Sequence, residues 1–155
     1  MHDSLPPAES LDRATVVSET RKLQYFYGLK HEIRYGQSRG DTKGTESVAE
    51  HVYGMHILAL YFLPLEDPSG SWDRTRISNL ITIHDLDEVE TGDTIGYLKT
   101  DTQRAAEADA MRQVLRTAPK HMQESLTHLV DEYEAQTSPE SRFVKALDRF
   151  EPLIQ

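Results

Sequence analysis

Apolar side chains recur along this chain three and four residues apart, in segments separated by proline, glycine and short polar stretches. The first segment predicts a helix from about Leu11 to Lys30, carrying Val16, Val17, Leu23, Phe26 and Leu29. A loop follows from about Tyr35 to Glu46, punctuated by Gly36, Gly40 and Gly44. Ser47-Val48-Ala49-Glu50 then reads as a capping box, with serine at the cap and glutamate three residues on. The helix it opens should reach about Leu63, with Val48, Val52, Met55, Ala59 and Phe62 on one stripe, before Pro64, Pro68 and Gly70 break it.

A third helix is predicted from about Arg74 to Glu90, with Ile77, Leu80, Ile81 and His84 on one face and Gly92 closing it. Thr102 to Arg116 predicts a more polar helix around Ala105, Ala108, Met111 and Leu115. After Thr117 and Pro119 the pattern restarts with Met122, Leu126, Leu129, Val130 and Tyr133. Ser138-Pro139 supplies a cap and a first-turn proline for a last helix carrying Phe143, Val144 and Leu147, which Pro152 ends or kinks. No stretch alternates with a strand period for long. The fold class is all-α, a bundle of five or six helices.

The 155 residues fit a single domain, 1–155, with residues 1–10 expected to be flexible. A net charge of −9 argues against binding a nucleic-acid polymer, which needs a basic face. With no cysteine, disulfides, thiolate nucleophiles and zinc fingers drop out. Met1 to Leu11 lacks the apolar run of a signal peptide, and the apolar stretch Ile57 to Leu65 is too short to span a bilayer. The expected location is the cytoplasm, away from membranes.

Polar residues on apolar stripes carry the chemical information. His51 sits among Val48, Val52 and Met55; His84 and Asp85 end an aliphatic face; Asp148 follows Leu147. A buried aspartate is costly unless it is paired or bound to a metal. Two aspartates and two histidines suggest one shared divalent transition-metal ion: manganese, cobalt, iron or zinc, with magnesium a further candidate. Water on such an ion is a nucleophile near neutral pH, and the chain offers no G-x-S-x-G elbow in its place. Glu88, one turn after His84, and Asp93, just past Gly92, could hold that water and pass a proton to a leaving alkoxide. Arg34 is the expected fixed cation for a phosphate. Lys145 reads as a solvated lysine, and His56 falls about 140° around the helix from His51.

His51, the pair His84-Asp85 and the distant Asp148 resemble the H…HD…D pattern of the HD-domain metal-dependent phosphohydrolases. The likeness tightens around Glu46–His51, His84–Asp93 and Phe143–Glu151, which are similar to the 5'-deoxynucleotidase subgroup, and it covers about Leu23 to Leu153. The resemblance implies an HD-domain helical bundle and a nucleotidase that releases phosphate from (deoxy)ribonucleoside 5'-monophosphates. It implies His51, His84, Asp85 and Asp148 as metal ligands, Glu88 and Asp93 as catalytic groups, and Arg34 on the phosphate. Tyr35 stands where the subgroup places a tryptophan against the sugar, so it becomes the expected sugar-side contact. Relatives continue into another helix beyond the position of Pro152, which implies a C-terminal end shortened relative to them. They are also commonly dimers, so a homodimer is expected. Two other readings stay open: a nucleotide-binding regulatory module without turnover, and a di-metal HD oxygenase drawing on further histidines such as His121 and His128.

Overall fold

Asp12 accepts the amide proton of Thr15 at 3.0 Å and opens α1, Arg13–Phe26, in a computed structural model that describes residues 12–34, 46–93 and 100–154. No α1 residue is buried, and Val16, Val17 and Leu23 are exposed. A 3-10 turn, Tyr27–Lys30, then tucks Leu29 into the core. Beyond it an isolated antiparallel bridge pairs Ile33 with Ser47. Arg34 donates its amide proton to the Glu46 carbonyl and Val48 donates to that of Glu32, both at 2.9 Å. These bonds clamp Arg34 beside the start of the next helix.

That helix, α2, spans Val48–Glu66, and its capping box forms as the sequence predicts. Ser47 Oγ accepts from the Glu50 amide at 3.3 Å, while Glu50 Oε2 accepts from the Ser47 amide at 2.7 Å. The helix runs through Pro64, three residues past the expected stop at Leu63. Proline removes one bond to the carbonyl four residues back, and Leu60 lies on the exposed side where water can take that place. α2 as a whole is long and apolar enough to cross a membrane, which the shorter run Ile57–Leu65 does not suggest. Here it packs on the neighbouring helices through Met55, Ala59 and Leu63, with Tyr53, Leu60, Tyr61 and Leu65 facing outward.

The third helix departs from its prediction. α3 spans Arg74–Ile83 and stops at His84, and a single helical turn, α4, follows at Glu88–Thr91. Between them, Leu86 N–H bonds to Ile83 O, Glu88 N–H to Asp85 O and Glu90 N–H to Asp87 O, all three residues back instead of four. The tightened turn falls on the His-Asp pair. α5 (Asp101–Thr117), α6 (Lys120–Ala135) and α7 (Pro139–Phe150) complete the bundle, and Pro152 lies in a closing 3-10 turn, Glu151–Leu153. The expected all-α bundle is what forms: among the described residues, six helices of at least ten residues plus α4.

The core has two parts. Met55, Leu80, Ile81, Tyr133, Val144 and Leu147 join α2, α3, α6 and α7. Val48, Ile83, Leu86, Met111, Val114 and Leu126 join the start of α2 to the α3–α4 turn, α5 and α6. His51 lies between Val48 and Met55 on α2, at the seam, and is itself 0% exposed. Gly28 lets the first 3-10 turn approach α4, since a Cβ there would meet Val89 Cγ2 at 2.5 Å.

Candidate metal centre

Three elements converge at the seam: the first turns of α2 bring His51, the α3–α4 turn brings His84 and Asp85, and the end of α7 brings Asp148. His51, His84 and Asp85 can each offer a ligand atom such that all lie within 4.8 Å of one another. Asp148 Oδ1 joins them at 3.5 Å from His51 Nε2 and 3.9 Å from His84 Nε2. Asp85 Oδ2 is 3.0 Å from His84 Nε2 and 3.9 Å from His51 Nε2. The structure thus brings together the four residues singled out as ligands.

Both imidazoles are oriented from behind. His84 donates its Nδ1 proton to the Ile81 carbonyl at 2.9 Å, and His51 donates its own to Glu151 Oε2 at 2.8 Å. A neutral imidazole protonated at Nδ1 presents a bare Nε2 lone pair. Both Nε2 atoms are buried and make no hydrogen bond within the structure. Two unsatisfied imidazole nitrogens facing two carboxylates in a protein interior leave a deficit that a cation fills. Burial alone would lower the His51 pKa, but Asp148 and Glu151 raise it to about 9. Burial also opposes protonation of His84, which Asp85 and Asp148 nevertheless raise. Asp148 shows the converse: burial would raise its pKa, yet His51, His84 and Lys145 lower it.

Glu88, the first residue of α4, is buried, and its Oε2 makes no hydrogen bond within the structure. Burial, together with Asp85, Asp93 and Asp87, pushes its pKa up to about 11. It faces the same acidic pocket as a neutral acid. Arg34 Nε lies 3.6 Å from Asp93 Oδ2 and 3.9 Å from Glu46 Oε2, so the guanidinium is held between acids at the edge of the site. Its charge is felt at both His51 and Glu88. Tyr35 lies outside the described residues.

The sequence reading gave no role to two residues that touch the centre. Glu151 supports His51, and Tyr133 donates its hydroxyl proton to Asp148 Oδ2 at 3.2 Å while its ring packs on His84 at 5.6 Å. Glu151 lies one turn after Asp148, a signal that spacing alone could have raised. Lys145 differs from its expected solvated state: its Nζ bonds to Asp148 Oδ2 at 3.0 Å and to the Tyr133 hydroxyl at 3.1 Å. His56 stays apart, 3.4 Å from the Thr82 hydroxyl, and His121 and His128 are exposed on α6. Among the described residues, no second group of histidines and carboxylates is compact enough to hold a metal.

The HD domain family matches residues 27–155 of this chain. The chain belongs to that family. As an HD domain it resembles a 5'-deoxynucleotidase HDDC2 of Bos taurus, 31% identical over 129 residues, covering 82% of this chain and 60% of the relative. The HDDC2 of Danio rerio is 33% identical over 130 residues, with 82% and 62% covered. A 5'-deoxynucleotidase hdd1 of Schizosaccharomyces pombe is 30% identical over 133 residues, with 82% and 65% covered. This HD domain therefore spans less than two thirds of the length of these curated relatives. A predicted metal-dependent phosphohydrolase from Magnetospirillum magnetotacticum superposes with a TM-score of 0.74 at 25% identity, covering 90% of this chain and 70% of that one. A conserved hypothetical protein from Pyrococcus furiosus superposes at 0.67 and 26% identity, covering 85% and 76%. Membership and these neighbours imply a divalent metal, and the donor set at the seam fits one.

Proposed function

We propose that this HD domain is a metal-dependent phosphomonoesterase that releases phosphate from nucleoside 5'-monophosphates, deoxyribonucleotides foremost. The observation that carries it is the pair of imidazole Nε2 atoms, fixed from behind and aimed at Asp85 and Asp148, with Glu88 buried beside them. The substrate class rests on the 5'-deoxynucleotidase names of the relatives. His51, His84, Asp85 and Asp148 would hold the ion, with manganese, cobalt, iron or zinc preferred by two nitrogens and two carboxylates and magnesium a further candidate. When bound, the ion supplies Lewis acidity and lowers the pKa of water it binds.

This chain's side chains do the rest. Glu88 orients the attacking water and takes its proton. In the metal-free protein burial and three neighbouring aspartates hold Glu88 neutral, and positive charge among those acids favours its ionised form. Arg34, held by Asp93 and Glu46, presents a guanidinium to the phosphate oxygens and offsets the charge that builds up as the ester bond breaks. Asp93 orients Arg34 and stands near the leaving oxygen, and Tyr35 contacts the sugar. The substrate is a small nucleotide, neither a nucleic-acid polymer nor a membrane component, handled in the cytoplasm. Self-association as a homodimer would cover outward-facing side chains such as Tyr53, Leu60 and Tyr61 on α2.

The test is phosphate release from ribo- and deoxyribonucleoside mono-, di- and triphosphates with manganese, cobalt, magnesium or chelator. Release from deoxymonophosphates that chelator abolishes supports the proposal. Saturable nucleotide binding with no release under any of these metals overturns it in favour of a binding module.

A further inference from the structure

Gly54 stands inside α2, one turn beyond His51, at a position where alanine would favour the helix. A Cβ built there would lie 2.9 Å from Glu151 Oε1 and 3.5 Å from the Cγ and Cδ of the same side chain. The space left by the missing side chain is therefore taken by the Glu151 carboxylate. Its second oxygen, Oε2, accepts the His51 Nδ1 proton at 2.8 Å, across 100 residues of sequence. Glu151 is 4% exposed and opens the 3-10 turn after α7, where its amide bonds to the Leu147 carbonyl.

We propose that Glu151 is a positioning residue for the metal centre and that Gly54 is the cradle that admits it. The inference rests on the reading of His51 as a metal ligand. An imidazole free to choose its tautomer presents a bare Nε2 for only part of the time. Glu151 fixes the proton on Nδ1 and holds the ring plane, so Nε2 faces Asp85 and Asp148 before any ion arrives. His84 has the same support from a backbone carbonyl, which no substitution removes. His51 depends on a side chain brought in from the far end of the chain. The helix gives up a better residue at position 54 to make room for it.

Calorimetric titration with manganese or cobalt, together with imidazole nitrogen NMR of the metal-free protein at a pH where the His51 ring is neutral, tests the inference. Wild type, Asp85→Ala, Glu151→Ala, Glu151→Gln and Gly54→Ala form the set. Glu151→Ala should weaken metal binding about 10–100-fold and give mixed His51 tautomers. Glu151→Gln, which retains an oxygen acceptor, should fall between it and wild type. Gly54→Ala is the discriminating variant: an ordinary helix glycine would give a higher melting temperature and unchanged affinity, whereas a cradle gives at least tenfold weaker binding. If Glu151→Ala does not fold, Glu151→Gln and Gly54→Ala decide. Wild-type affinity and tautomer in both, with binding lost in Asp85→Ala, overturns the inference and leaves the metal centre standing. No binding by the wild-type protein overturns the metal centre itself, and the role of Glu151 with it.

Discussion

Arg34 Nε lies 3.6 Å from Asp93 Oδ2, with both side chains almost wholly buried, 6% and 5% exposed. The pair joins the segment entering α2 to the segment leaving α4, the two chain stretches that border the metal centre. A buried guanidinium so held has already lost its rotamer freedom, and little more is lost when a phosphate arrives. Arg34→Gln should therefore raise KM for nucleoside monophosphates at least tenfold while leaving metal affinity within about twofold, since one charge-assisted phosphate contact contributes about 1.5–3 kcal/mol. Steady-state kinetics beside a metal titration measures both. An unchanged KM would make Arg34 a purely structural ion-pair partner.

Asp85 supplies the carboxylate nearest His84 Nε2, at 3.0 Å. Burial would raise its pKa, but His84 and His51 lower it, so it stands ready as an anion. Asp85→Ala should abolish detectable metal binding and turnover. Helical content should survive, because the apolar partners of α3 and α7 are untouched. Circular dichroism and metal analysis of the purified variant check the two halves separately. Full activity in metal-controlled buffer would remove Asp85 from the centre.

The parts of this fold written in local sequence were legible. Ser47 with Glu50, and Ser138 with Pro139, mark helix starts because capping is settled within four residues. His51, His84, Asp85 and Asp148 stood out because each interrupts an apolar stripe at a cost that demands compensation. The break at His84 was hidden, since Ile77, Leu80, Ile81 and His84 keep helical spacing up to the residue where the turn tightens. Glu151 and Tyr133 were hidden for another reason: their roles exist only where α7 and α6 meet α2 and α3 in space. Periodicity reports which face is buried, not which distant residue it meets.

The turn between α2 and α3 is organised by one carboxylate. Asp67 Oδ1 accepts from the hydroxyls of Ser69 at 2.7 Å and Ser71 at 3.0 Å, and Oδ2 accepts from the Trp72 amide at 2.8 Å. The Trp72 amide, with Ser69 and Ser71, lowers its pKa from 3.8 to about 2 despite opposing desolvation. A carboxylate whose folded pKa is depressed contributes stability above its unfolded pKa and loses it as pH falls through the folded value. The contribution should therefore be intact at pH 5 and disappear between about pH 4 and 2. Urea midpoints of wild type and Asp67→Asn should differ at neutral pH and converge across that window. A gap that stays constant to pH 2 would mean the hydrogen bonds do not depend on the charge.

Glu88 shows the opposite sign. Burial, then Asp85, Asp93 and Asp87, raise its pKa from 4.5 to about 11 in the metal-free protein. A carboxyl raised in this way costs no folding free energy below about pH 4, where both states are protonated. Between the unfolded and folded values the unfolded chain ionises and is favoured, so this residue lowers stability progressively as pH rises. Glu88→Gln replaces the neutral acid with a group of similar shape that cannot ionise. In chelator, wild type and Glu88→Gln should have similar stability at pH 4, and the variant should become the more stable as pH rises toward 8. Loaded with metal, the same variant should bind the ion yet lose about 10²–10⁴-fold in kcat, because no carboxylate remains to take the proton from water. A residue that is destabilising in the empty protein and required for turnover is one held for chemistry and not for the fold. Loss of metal from Glu88→Gln would instead make Glu88 a ligand, and the proton acceptor would have to be sought at Asp93.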